Sequence, residues 1–236
     1  MDRFIVMFIY SDFKIKIVEG DFEAAKKMLA DIEVDAETFN ALSNASMFLS
    51  LAFRYPSEDV YDTLKDNWEA FEDFITDYSD SKIELYGETE MESDYIKLFE
   101  QDMEGNKIVP YISYFTEENK MLYGQSTFNI REWMAEEGFV LEDDITDLED
   151  HVYIVLEFMS AIFKKLADPE NIEDWYKSLK NLYKVLDNYG PVLTDQFGAL
   201  VAKRDDMPYY RDFASILVEF VKDIDPIMED ILSGEE

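Results

Sequence analysis

The chain has no cysteine and a single histidine, His151. The first absence excludes disulfides and thiolate metal sites, and the second excludes any multi-histidine metal cluster. Carboxylate-only sites for magnesium or calcium stay open, yet no loop carries the calcium-binding pattern with its central glycine. Neither a phosphate-binding P-loop nor a dinucleotide fingerprint occurs, which argues against a conventional nucleotide enzyme and gives no support for a guanine nucleotide site. Long hydrophobic runs are lacking too. The longest early one, Phe4 to Tyr10, is too short to span a bilayer and too poorly flanked for a secretion signal. The expectation is a cytoplasmic protein without a membrane span. Basic residues are also scarce, 21 against 54 acidic ones, for a net charge of −33. Such a field repels nucleic acid and anionic lipid and attracts cationic partners, although acidity alone also serves solubility.

What is present points to a folded, helical chain. Hydrophobic residues make up 47% and aromatic residues 15%, too rich a mixture for disorder. At 236 residues the chain can bury a core without staples, and it reads as a single all-α domain over 1–236. Helical periodicity recurs along it, and strand alternation is nearly absent, giving about ten helices. Asp21 and Asp35 are placed to cap two early helices. Pro56-Ser57 interrupts the second, and Ser57 is set to cap a helix through Val60, Leu64, Trp68, Phe71 and Ile75. These form an amino-terminal unit over about residues 1–80.

A polar connection from Asp77 to Asp94 leads to a short helix ending near Gln101, after which Gly105 and Asn106 turn the chain. Proline keeps its predecessor extended, so Val109 should lie in irregular backbone. Ser126 or Thr127 can cap a helix that carries Trp133 and stops at Gly138. Beyond an acidic loop, the stretch from about Leu148 to Leu166 is apolar on nearly every side and belongs at the centre of the fold. Further helices are expected over Glu170–Leu186, Pro191–Ala202 and Tyr209–Val221, with Pro226 starting a short terminal one.

Two patches could carry chemistry. Asp150-His151 opens the apolar helix. With Asp147 as the cap, Asp150 falls at the third helical position, and the dipole would keep His151 neutral. That spacing fits a structural role. A catalytic one lacks its partners, since no glycine-flanked serine elbow or cysteine nucleophile is present. Upstream, Val109-Pro110-Tyr111-Ile112-Ser113-Tyr114 is either a buried aromatic corner or a binding wall, where Tyr111 and Tyr114 would offer flat faces to guanidinium and apolar groups. Arg131 and Glu157 sit among apolar neighbours, as members of an ion pair would.

The order of these blocks, VPYISY, then LYGQSTFNIREWM, then Asp150-His151, resembles the TorD/DmsD/NarJ family of cytoplasmic chaperones. The middle block is most similar to the members that bind leaders of dimethyl sulfoxide reductases. Tyr189-Gly190-Pro191, Phe197 and Pro208-Tyr209-Tyr210-Arg211, followed by Ala214, Leu217 and Phe220, extend the likeness, giving a family-like core over about residues 91–225. The resemblance implies no enzyme activity and no cofactor. It implies that the chain binds the twin-arginine leader of a molybdenum-containing reductase precursor and supports its maturation before export, as a monomer or a helix-swapped dimer. Family members border the peptide groove with a loop reading proline, any residue, aspartate, histidine. Here it reads Leu148-Glu149-Asp150-His151, with leucine in the proline's place. The implied peptide contacts are Glu149, Asp150, His151, Pro110, Tyr111, Ser113, Tyr114 and Trp133. Two alternatives stand beside this: a chaperone of the NarJ branch, for a subunit without a leader, and an enzyme using Asp150 and His151 as an acid–base pair.

Overall fold

The computed structural model describes residues 10–30, 32–79, 83–101 and 107–233. All of its regular elements are helical. The run from Phe4 up to residue 9 and the turn at Gly105-Asn106 lie outside the described residues. At the centre are α3 (Ala36–Phe53) and α9 (Val152–Ala167), which make the most extensive helix–helix contact among the described residues. α9 is apolar nearly all round and is buried along almost its whole length, as its sequence predicts. α3 contributes small residues to the contact, with Ser43, Ala45, Ser46, Ser50 and Ala52 all buried. Small side chains let backbones approach, and two of these serines bond across the gap. The Ser43 hydroxyl donates to the Ser160 carbonyl at 2.9 Å and that of Ser50 to the Tyr153 carbonyl at 2.8 Å.

The other elements wrap this pair. α1 (Tyr10–Glu19) and α2 (Phe22–Leu29) precede it, and α4 (Glu58–Asp66), α5 (Trp68–Tyr78) and α6 (Glu88–Tyr95) follow α3. A π-helical turn, Ile96–Glu100, extends α6. Next come α7 (Ile112–Thr116), α8 (Gln125–Glu136) and, beyond α9, α10 (Ile172–Pro191). α10 passes through a π-helical segment, Val192–Gly198, into α11 (Ala199–Val201), and α12 (Pro208–Ser233) closes the chain. Phe48 of α3 stacks on Phe71 of α5 at 3.9 Å and meets Phe213 of α12 edge-on at 5.4 Å, tying three helices together.

Local signals acted where their partners are local. Asp21 accepts from the Ala24 amide and Asp35 from the Thr38 amide, at 3.2 and 3.0 Å. Gly138 ends α8 with φ +80° and open space around it. Only strain would oppose a side chain there, so Gly138→Ala should lower stability by about 1 kcal/mol in urea denaturation.

Several expectations are corrected. The helix capped by Ser57 is two helices, broken at Asn67, and the Ser57 side chain makes no capping bond. α6 begins at Glu88, within the expected polar connection. Neither Pro191 nor Pro226 starts a helix: α10 runs through the first and α12 through the second. A proline inside a helix removes the bond to the carbonyl four residues back. Here those carbonyls belong to Asp187 and Lys222, on exposed residues, so water can satisfy them.

Candidate functional site

Proline at 110 keeps the chain extended, and Tyr111 continues so, at φ −121° and ψ 134°. This short stretch runs antiparallel to Asp150–Val152, pairing Tyr111 with His151. The Ile112 amide donates to the Asp150 carbonyl and the Val152 amide to the Pro110 carbonyl, both at 2.9 Å. The two patches singled out in the sequence are thus in direct contact.

Asp150 is fully buried and both its oxygens are used. Oδ2 accepts from the Ser113 amide, at the start of α7, and Oδ1 from the Thr127 hydroxyl, in the first turn of α8, each at 2.7 Å. One carboxylate therefore holds α7, α8 and the lead-in to α9 together. His151, not Asp147, is the N-cap of α9: its Nδ1 accepts from the Tyr153 amide at 3.3 Å. Accepting at Nδ1 places the imidazole proton on Nε2. Burial pushes the His151 pKa down to about 4, so the ring is neutral as expected, through desolvation rather than the helix dipole.

Asp147, expected from its spacing to be the cap, instead accepts the hydroxyls of Tyr111 at 2.7 Å and Tyr153 at 3.2 Å. Burial and the bond to Asp147 raise the Tyr111 phenol pKa. Burial and the Asp147 charge do the same for Tyr153. Both phenols are hydrogen-bond donors and not acids here. His151 lies edge-on to Tyr111, with ring centres 4.8 Å apart.

Glu149 points elsewhere. Arg131 grips it in a fork, Nε to Oε1 at 2.5 Å and Nη2 to Oε2 at 2.9 Å. Burial would raise the Glu149 pKa, but the Arg131 bonds outweigh it and hold the carboxyl below its usual range. The ion pair expected of Arg131 is therefore real, with Glu149 as its partner. Trp133 is buried against Tyr189, ring centres 5.7 Å apart.

A groove of about 1030 Å³ opens beside this region, between the 107–120 stretch and the 195–206 stretch. Tyr114 lines it, with Ile108, Val109, Phe115 and Leu200 as apolar wall and Lys203 at the rim. Of the eight predicted contacts, Tyr114 alone lines this groove. Asp150, His151, Pro110, Ser113 and Trp133 are buried and offer almost no surface. Tyr111 and Glu149 keep partial exposure. Sequence reasoning misses the exposed apolar strip Met121, Leu122, Tyr123 and Phe128. An apolar triplet just before Gly124, outside any helical period, is its one visible signal.

The family model for the nitrate reductase delta subunit matches residues 57–195, more than half of the chain. The chain belongs to that family. Membership in this family of chaperones is in line with the resemblance. No curated protein matches the sequence significantly. A crystal structure from Archaeoglobus fulgidus, of a protein described as a redox enzyme maturation protein, superposes with a TM-score of 0.51 at 19% identity. The alignment covers 76% of this chain and 93% of that one, and supports the all-α fold.

Proposed function

We propose that this chaperone binds, in the cytoplasm, the twin-arginine leader of a molybdenum-containing reductase and holds the precursor until it is ready for export. The observation that supports the reading most is the direct pairing of the Pro110–Ile112 stretch with the Asp150–Val152 turn. A leader of this kind has two adjacent arginines and then a moderately apolar stretch. Its receptor must offer carboxylates to the guanidinium forks and an aromatic or apolar track to the residues after them. Glu149, beside the paired segments, offers the carboxylate, and Tyr111 and Tyr114 offer aromatic rings. Asp150, His151, Pro110, Ser113 and Trp133 would act from below, fixing the elements that carry those side chains. The net charge of −33 favours the encounter with a cationic segment.

Calorimetric titration with leader peptides from reductases encoded beside this chaperone tests the proposal. Changing both arginines to glutamine should weaken binding by about tenfold or more. Equal affinity for the two peptides would remove the arginines from recognition, and no binding to either would end the leader reading.

A further inference from the structure

The contacts of Arg131 amount to a complete receptor for a guanidinium group. Glu149 takes two of its nitrogens in a fork at 2.5 and 2.9 Å, and Nη1 reaches the Tyr123 hydroxyl at 3.4 Å. The guanidinium carbon lies over the ring of Tyr123 at 5.5 Å and over that of Phe128 at 5.6 Å. Carboxylate fork and aromatic faces together are the two features by which proteins select arginine over lysine.

Two further observations distinguish this arrangement from an ordinary surface ion pair. Tyr123 adopts φ +64°, a left-handed conformation costly for a bulky side chain. Asn119 and Lys120, in the same connection between α7 and α8, are left-handed too. That backbone sets the Tyr123 ring against Phe128, ring centres 5.1 Å apart. The seat also continues into exposed apolar surface, with Met121 61% and Leu122 44% accessible and nothing covering them among the described residues.

We propose that Glu149, Tyr123 and Phe128 form an arginine-binding seat that the free protein fills with its own Arg131, and that an incoming peptide arginine displaces Arg131 from it. The occupant is a cationic peptide segment with apolar residues after its arginine, which would lie along Met121 and Leu122. The proposal deepens the leader-binding reading and rests on it for the identity of the peptide. Displacement is feasible because the Arg131 side chain is 44% exposed and swings into water without unfolding α8. Glu149, at 15% exposure, is the shielded half of the pair and stays in place to receive the replacement guanidinium.

The test uses diarginine amide as the probe, with binding measured by calorimetry to the full chain. Arg131→Ala vacates the seat and should bind the probe about fivefold more tightly than wild type. Arg131→Ala/Glu149→Gln should lose that gain. In thermal melts the probe should raise the Tm of Arg131→Ala more than that of wild type, which also reports that the variant is folded. Equal binding to all three proteins would overturn the seat. So would a gain that survives Glu149→Gln. A seat that binds the dipeptide while no leader peptide binds wild type or Arg131→Ala would leave this inference standing and remove the leader reading. Leader binding unchanged by Arg131→Ala, with no gain for the dipeptide, would do the reverse.

Discussion

Asp150→Ala is expected to lower the free energy of unfolding by about 3–4 kcal/mol, read from the urea midpoint at neutral pH. The aspartate has no exposed surface, and its two oxygens answer two donors from different helices. Alanine leaves the Ser113 amide and the Thr127 hydroxyl buried without an acceptor. Each such loss costs about 1–3 kcal/mol, more when the missing partner is a carboxylate. The ladder bonds of Ile112 and Val152 are made by backbone and do not compensate. Asp150→Asn should fall between, because its amide oxygen can still accept one of the two donors while its NH2 group faces the other. Thr127→Val removes one of the same bonds and should cost about 1 kcal/mol. Combined with Asp150→Ala it should add almost nothing, since the partner is already gone. A loss below 1 kcal/mol for Asp150→Ala would show that the carboxylate does not hold α7 to α8.

How much of this was legible depends on how far each determinant lies from its partner along the chain. Asp21 and Asp35 reach amides three residues on, and a reader of the sequence finds them. α9 announces itself because its apolar residues cover nearly all of its circumference. Pro191 and Pro226 mislead because their cost depends on where the orphaned carbonyl faces, and only packing decides that. Asp147 looks like a cap by spacing, but His151 is drawn into that position by pairing with Tyr111, forty residues earlier. Glu149 and Arg131 are separated by an acidic loop with no periodic relation, so the sequence marks Arg131 and Glu157 as members of ion pairs without pointing to Glu149 as the partner. The meeting of the Pro110 and Asp150 segments was legible only through the family resemblance. Composition and periodicity carry no trace of it. The strained Tyr123 was hidden for the same reason: a left-handed tyrosine has no sequence signature, and the glycine beside it attracts the turn assignment instead. Gly124 matters for another cause. A Cβ there would collide with the Glu117 side chain, which accepts the Ser126 amide and so does the work expected of a serine or threonine cap.

His151 should make stability fall with pH in a window set by its burial. In the unfolded chain its imidazole takes up a proton near pH 6.5. In the folded protein it does so only near 4, because the charged ring would be desolvated, an effect the Asp147 charge offsets only in part. Between those values the unfolded state binds more protons, so acidification favours unfolding. The contribution is fully present above about pH 6.5 and lost as pH falls through about 4, for a total of about 3 kcal/mol. Around the ring stand Tyr111 and Tyr153, both kept protonated, with Asp147 bonded to their hydroxyls and Arg54 over the Tyr153 ring. Carboxylates ordinarily take up protons toward the lower end of this window, and relief of the repulsion among them acts the other way. His151→Asn separates the two effects, because asparagine supplies a capping oxygen but no titrating group. Every other acid is common to both proteins. The stability of wild type minus that of His151→Asn should therefore drop by about 3 kcal/mol between pH 7 and pH 4. Parallel curves for the two proteins would mean that the ring can take up its proton inside the fold, with Nδ1 giving up the Tyr153 amide at no cost.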